Sequence, residues 1–374
     1  MSRIAVLGAG AMGSAAAVLL ARHEDVDLLV LDVDAGRAAR VAERAGAEGR
    51  GFDAHAGELP SVLKDVSAVA ACLPYRLNLE VMEAALAAGC HYADLGGLYH
   101  VTLKQWELDE RFRDAGLSAV MGIGSAPGIT NVLARLGADR LDEGSVRSID
   151  LSEGGGAFGV PYSAETILDE FTLPAIVFED GVQKEVPAGS GVIDWTFPEP
   201  IGTQTAMYTL HSEPATLPRT IPGVRDVRWR LALPRPVHEG FAFLVLAGLA
   251  SRDPVMTSAG PVVPRDVLAA VLNRLSAIDE TDRPRDREVI DVRVAGRNDG
   301  DAAVYRSLAS FTPPPEGLSA GAFGTSIPVA TAVRWLAEGR VPLGVHPPET
   351  AFDAGAFVAD LEREGVGFAG ELLG

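Results

Sequence analysis

The first thirty-two residues constrain the fold more than any other stretch. A strand pattern, RIAVLG (Arg3 to Gly8), runs straight into GAGAMG (Gly8 to Gly13), which fits G-x-G-x-x-G. The alanine-rich run Ser14 to Ala21 then has helix composition, and a second strand, DLLVLD, ends on Asp32, nineteen residues after Gly13. Strand, glycine turn, helix, strand and acid in that order make a dinucleotide-binding unit. Gly8 permits the tight turn, Gly10 lets the backbone approach a pyrophosphate, and Gly13 lets the helix pack close to the strand. Ala11 and Met12 open the helix, whose N-terminus faces the phosphate charge. Asp32 stands where a carboxylate accepts hydrogen bonds from ribose hydroxyls and repels a 2′-phosphate. Asp34 adds a second negative charge, while Arg37 and Arg40 lie on the following helix. The expected cofactor is NAD in preference to NADP.

The alternation continues. GRAARVAERA (Gly36 to Ala45) is helical, RGFDA carries Asp53 at the end of a short strand, and SAVAACLP (Ser67 to Pro74) is an apolar strand stopped by proline. A helix, NLEVMEAALAAG, follows, then strands HYADLGG and LSAVMGIG with a helix around Leu103 to Asp114 between them. Such alternation with short turns predicts a Rossmann-type, doubly wound parallel sheet. Past Gly128 the character changes: a helix over Ala126 to Leu141 precedes segments of strand type, among them VRSIDLSEGGG, PAIVFEDG, GVQKEVPAG, GVIDWTF, TAMYTLHS and EGFAFLVLAG. A hairpin is expected at Asn298-Asp299-Gly300. The fold class is therefore α/β, with a second α+β domain of mostly antiparallel sheet. The expected divisions are residues 1–128 for the dinucleotide, 129–317 for substrate and oligomerisation, and 318–374 returning to the first unit.

The formal charge of −19 leaves nothing basic enough to neutralise nucleic-acid phosphates, and only three lysines are present. The longest apolar stretch, FAFLVLAGLA, is too short to span a bilayer. Two cysteines and scattered histidines offer no metal-ligand spacing. A cytoplasmic enzyme acting on a small molecule, without nucleic-acid or membrane partners, is the expectation.

Three segments stand at the carboxyl ends of the parallel strands, where ligands of such sheets bind. Cys72, Leu73 and Pro74 form a loop suited to run beside the cofactor, and Cys72 fits a buried small hydrophobe better than a nucleophile. Asp94 suits either a cap on the Gly96-Gly97 turn or a direct role with substrate, and Tyr99 and His100, which follow it, are candidates for substrate contact, with His100 the better suited to proton transfer. In GSAPGITN (Gly124 to Asn131), free amides and Asn131 are candidates to hold a carboxylate or the nicotinamide amide. Within the second domain, His211 and Glu213 of LHSE make an acid–base pair if their loop faces the cleft. Arg235 is a candidate for a substrate carboxylate. Arg235, His238, Glu239 and Glu153 rank behind LHSE as polar groups for the cleft.

GAGAMG, YADLGG, GSAPGITN and GVHPPE together resemble the saccharopine dehydrogenase-like family, and the likeness runs nearly end to end. It is greatest toward the lysine 6-dehydrogenase branch. That resemblance implies an NAD(P)-dependent oxidoreductase of amines or amino acids, commonly dimeric. For the branch it implies oxidative deamination of L-lysine at the ε-amine to 2-aminoadipate 6-semialdehyde, which cyclises to a piperideine carboxylate. Departures at GLYH, LHSEPAT, SEGGGAFG and RPVHEG fall where substrate contacts are expected. In that chemistry a base takes the ammonium proton and then assists water; His211 would serve, with Glu213 orienting it and Asp94 holding the amine or the loop. The alternatives are imine reduction of the saccharopine reductase or carboxynorspermidine dehydrogenase type and, in another class, a catalytically silent NAD-binding sensor.

Overall fold

In a computed structural model that describes residues 1–54, 57–156, 164–274 and 285–373, the early strands close into a seven-stranded parallel sheet. Its order is Gly344–His346, Ser118–Val120, His91–Asp94, Ala68–Ala71, Ser2–Leu7, Val26–Asp32 and Glu48–Gly51. Strand Ala68–Ala71 is buried throughout, as expected of a short apolar strand covered on both faces. Strand Ser2–Leu7 has Val26–Asp32 on one side and Ala68–Ala71 on the other, which makes it the point where the chain order reverses. The third strand stops at Gly51, so Asp53 lies exposed beyond the sheet rather than at a strand end.

The second sheet is mixed and mostly antiparallel. Strand Asp226–Leu233 pairs in parallel with Ser148–Gly155, which pairs antiparallel with Glu288–Asn298. That strand continues through the two-residue turn Asp299-Gly300 into Asp301–Phe311. Both turn residues have positive φ, 53° and 86°, the geometry that suits a hairpin's twist. Two expectations differ here. DVRWRLAL, not singled out above, is a strand whose Val227, Trp229 and Leu231 share one face. EGFAFLVLAG, expected as a strand, belongs to helix Arg235–Leu246. Pro236 suits that helix's first turn, and Val237, Phe241, Leu244 and Val245 recur at helical spacing against Phe171, Met207 and Leu268. The part of SEGGGAFG from residue 157 onward lies outside the described residues.

The C-terminal portion serves both sheets. Helix Ala320–Ala337 packs on helix Ala11–Leu20, and the Ser326 hydroxyl donates to the Met12 carbonyl at 2.9 Å. Strand Gly344–His346 extends the parallel sheet, whereas Gly367–Leu373 returns to the second sheet beside Asp301–Phe311. One apolar core consequently runs through both, including Val6, Ile149, Val292, Phe311, Phe323 and Trp335. Among the described residues no helix is long and apolar enough to cross a membrane. Phe311 is fully buried, and the helix approaches it so closely that a Cβ at Gly324 would sit 2.9 Å from its ring. Replacing Phe311 with Ala is expected to lower the unfolding free energy by about 3–5 kcal/mol, read as a fall in the urea midpoint at unchanged m-value.

Candidate active site

The glycine turn is shaped by backbone contact. Gly8 has φ 98°, and a Cβ at Gly13 would collide with the Gly8 carbonyl oxygen. Nothing lies within 4 Å of where a Gly10 Cβ would be, so the helix N-terminus stays open to a diphosphate. Asp32 is buried at the strand end, with Oδ2 accepting from the Ala9 amide at 2.7 Å and Oδ1 from the Asp34 amide at 2.8 Å. It therefore braces the glycine turn while presenting a carboxylate beside it. Arg37 lies 3.8 Å from Asp32 and 4.0 Å from Asp34. Free backbone approach, unoccupied helix amides and an acid at the strand end fit a dinucleotide. Gly8, Gly10, Ala11, Met12, Gly13 and Asp32 would hold it.

Beyond this turn, at the carboxyl ends of the strands, a cavity of about 560 Å³ opens between the two sheets. Gly10, Ala11, Met12, Cys72, Leu73 and Pro74 line its nucleotide side. Burial, with a smaller push from Asp94, raises the Cys72 thiol to about 12, so it stays a neutral, small apolar group. The Ser125–Pro127 turn forms one wall. It can be so tight because Gly128, at φ 134°, brings its backbone against Gly124 where a Cβ would clash.

From the second sheet come Trp229, Glu153 and Glu288, joined by His211 of the loop between strand Thr203–Met207 and helix Glu213–Thr220 and by Glu165 and Glu170 of helix Ala164–Thr172. His211 Nδ1 lies 2.8 Å from Glu213 Oε2, and Glu213 Oε1 accepts from the Thr130 hydroxyl at 2.9 Å. The imidazole stacks on Trp229 with ring centroids 4.1 Å apart. Burial lowers its pKa, but Glu213, then Glu170 and Glu153, more than offset this and leave it above the ordinary 6.5. With Nδ1 turned to Glu213, Nε2 is the nitrogen left for proton transfer. Burial drives Glu153 up to about 7 against the opposing pull of the Ser125 hydroxyl and His211, and drives Glu288 well above its usual range.

Several expected site residues stand elsewhere. Asp94 does not line the cavity. It is fully buried and accepts from Tyr92, Gln105 and the amides of Gly96 (2.7 Å) and Gly122 (2.8 Å), so it ties strand ends together. Tyr99 is packed against Ile176, Leu210 and Ala215, and His100 is exposed with its ring edge-on to Tyr99. Asn131 caps its own helix through the Gly128 amide at 3.1 Å and donates to Glu349 at 2.9 Å. Arg235 is exposed and faces Asp194 at 3.4 Å, and Asp53 is absent from the cavity lining. Glu170, Glu288 and Trp229 went unnoticed in the sequence, and Glu153 was ranked low. The available signal was an acid or polar aromatic on an otherwise apolar face: Ile149, Leu151 and Glu153 share one strand face, and Ile167, Glu170 and Phe171 share one helix face.

Known proteins carry the same plan. Residues 4–120 match the saccharopine dehydrogenase NADP binding domain, and residues 124–366 match the saccharopine dehydrogenase C-terminal domain. Carboxyaminopropylagmatine dehydrogenase of Synechocystis sp. is 26% identical over 323 residues, covering 82% of this chain and 80% of that protein. Carboxynorspermidine synthase of Vibrio alginolyticus is 26% identical over 297 residues, covering 71% of each. Saccharopine dehydrogenase (L-Glu forming) of Saccharomyces cerevisiae, in its apo form, superposes with a TM-score of 0.77 over the whole of both chains at 17% identity, a likeness of fold. These relatives do not single out lysine 6-dehydrogenase. With both of its halves matched, the chain belongs to the saccharopine dehydrogenase family and is an NAD(P)-dependent amine oxidoreductase.

Proposed function

We propose that this enzyme works on the C–N bond of a cationic di- or polyamine, reducing the imine that the amine forms with a carbonyl compound. The observation that carries this reading is the cavity's acidic lining. Glu153, Glu165, Glu170 and Glu288 line it, and among the described lining residues the only arginine is Arg37, at the nucleotide side. Burial pushes Glu153 and Glu288 toward their neutral forms, and an ammonium group brought beside them favours the carboxylates and pairs with them. Both curated relatives are named for carboxylated polyamine derivatives, which agrees with that preference. Lysine deamination at the ε-amine is the second reading, supported by the same acid–base pair.

The balance is simple. A primary amine and a carbonyl compound lose water to give an imine, whose protonated form takes up a hydride and becomes a secondary amine. Hydride transfer is the chemistry a bound nicotinamide dinucleotide supplies. His211, held in its protonated form and oriented by Glu213, gives a proton from Nε2 to the departing hydroxyl or to the imine nitrogen. Glu153, drawn into its ionised form by the bound cation, holds an ammonium group of the amine.

Turnover of reduced cofactor, followed at 340 nm across diamines paired with small carbonyl acids, tests the reaction. Signal only with lysine and oxidised cofactor would replace it by the deaminase reading. His211→Gln is expected to lower kcat by roughly 10²- to 10⁴-fold while leaving cofactor binding unchanged. The acid form of His211 is needed for reduction, so kcat should be lost as pH rises through a pKa above 6.5. The amine-oxidising direction needs the neutral form and should gain over the same window. Glu153→Gln should raise the amine KM about tenfold or more, a loss of at least ~1.4 kcal/mol of binding, with the carbonyl KM little changed. For the cofactor we infer NAD: Asp32 stands buried at the strand end beside the glycine turn, where its carboxylate opposes a 2′-phosphate, and kcat/KM should favour NADH over NADPH by about tenfold or more.

A further inference from the structure

One buried acid lies behind the cavity wall and takes no part in the chemistry above. Asp169 sits on helix Ala164–Thr172, whose Ile167, Glu170 and Phe171 line the cavity, and its side chain is only 1% exposed. Its two oxygens look in different directions along the chain. Oδ1 accepts from Arg265 at 2.6 Å and Arg252 at 2.9 Å, both within the second domain. Oδ2 accepts from Arg76 at 2.8 Å and the Tyr75 hydroxyl at 3.1 Å, both from the loop that follows strand Ala68–Ala71. That loop also carries Leu73 and Pro74, which line the nucleotide side of the cavity, and Tyr75 lines it too.

Four donors saturate one carboxylate, and three of them are guanidinium groups. Arg265 is buried, whereas the side chains of Arg76 and Arg252 are 52% and 64% exposed, so water carries part of the surplus positive charge. Burial, followed by Asp169, pushes the Tyr75 hydroxyl above its ordinary value and keeps it a donor at neutral pH. The charge-assisted bonds of Arg76 therefore depend on an acceptor supplied by the opposite wall of the cleft.

We propose that Asp169 is a positioning residue: it clasps the Tyr75–Arg76 loop to the helix that lines the substrate cavity and so sets the distance between cofactor and amine. The assignment rests on the amine oxidoreductase reading for its kinetic consequence, though not for its structural one. The clasp's own hydrogen bonds join Tyr75 and Arg76 to Asp169 and leave the amides of the glycine turn to the diphosphate, so cofactor affinity is expected to change little when the clasp is broken. What the clasp governs is the register of the amine against the nicotinamide, where a small displacement is costly.

The test compares Asp169→Asn, Arg76→Ala and the double variant. Arg76 is half exposed, so its removal leaves a folded protein even where Asp169→Asn does not. Expected are an amine KM raised about tenfold or a comparable fall in kcat/KM, and a cofactor dissociation constant within about twofold of wild type by nicotinamide fluorescence. The double variant should be no worse than Asp169→Asn alone, because both break the same bond. Hydrogen exchange, which needs no turnover, should quicken together at residues 75–78 and 167–171 in either variant. If no amine and carbonyl pair is turned over, the functional reading fails, and exchange alone decides the clasp. A lowered melting temperature with wild-type exchange at the loop, or effects that multiply in the double variant, would overturn the proposal.

Discussion

Everything at the site is placed by one backbone contact, the approach of Gly13 to the Gly8 carbonyl. It sets where strand Ser2–Leu7 ends and where helix Ala11–Leu20 begins, and thereby where helix amides face the cleft. Helix Ala320–Ala337 then packs on that helix, with Ser326 bonded to the Met12 carbonyl. The long helix rests in turn against Phe311 of the second sheet. A contact between two glycines in the first turn is thus transmitted through two helices to the sheet that supplies Trp229 and Glu153. Any side chain at Gly13 would move that whole sequence of contacts, not the phosphate site alone.

The acidic wall shows why burial matters more than residue count. The chain carries a formal charge of −19, and most of its acids are solvated and unremarkable. Asp32, Asp94, Asp169 and Asp291 are buried as well, but each has its oxygens taken by named donors. At Asp291 these are the Trp195 indole, Arg293 and Arg306. Glu153 differs: it faces the cavity, its donor among the described residues is the Ser125 hydroxyl at 3.5 Å, other acids lie nearby, and burial displaces its pKa. What separates Glu153 from Asp94, Asp169 and Asp291 is the number of donors around it, which sequence does not display; Asp32 has both roles, braced by two amides at the edge of the nucleotide site.

How much was legible follows from the range of each interaction. The glycine turn was readable because its constraint is steric and local, acting over six consecutive residues. The parallel order of the first sheet followed from alternating elements. The LHSE pair was readable by chemistry, since His211 and Glu213 are two residues apart. Less was visible where the deciding partner is distant. The apolar run in EGFAFLVLAG fits a strand or a helix equally by periodicity, and Pro236 was the local cue. DVRWRLAL hid behind Arg228 and Arg230, which alternate with its buried face. Glu153, Glu170 and Glu288 come from three separate elements, and only the tertiary fold brings them to one cavity. Arg235 and His100 had suitable chemistry but point to solvent.

The course of the C-terminal portion has a mechanical consequence. The chain passes between the two sheets after Val120, again between Phe311 and Ala320, and once more between His346 and Gly367. Three covalent connections, with a shared apolar core between them, leave little freedom for the halves to twist or separate as independent bodies. The two sheets are held like the boards of a book whose spine is stitched in three places, and large excursions of one against the other would strain all three stitches. Opening of the cavity is thereby limited, and the melting of either sheet carries the other with it.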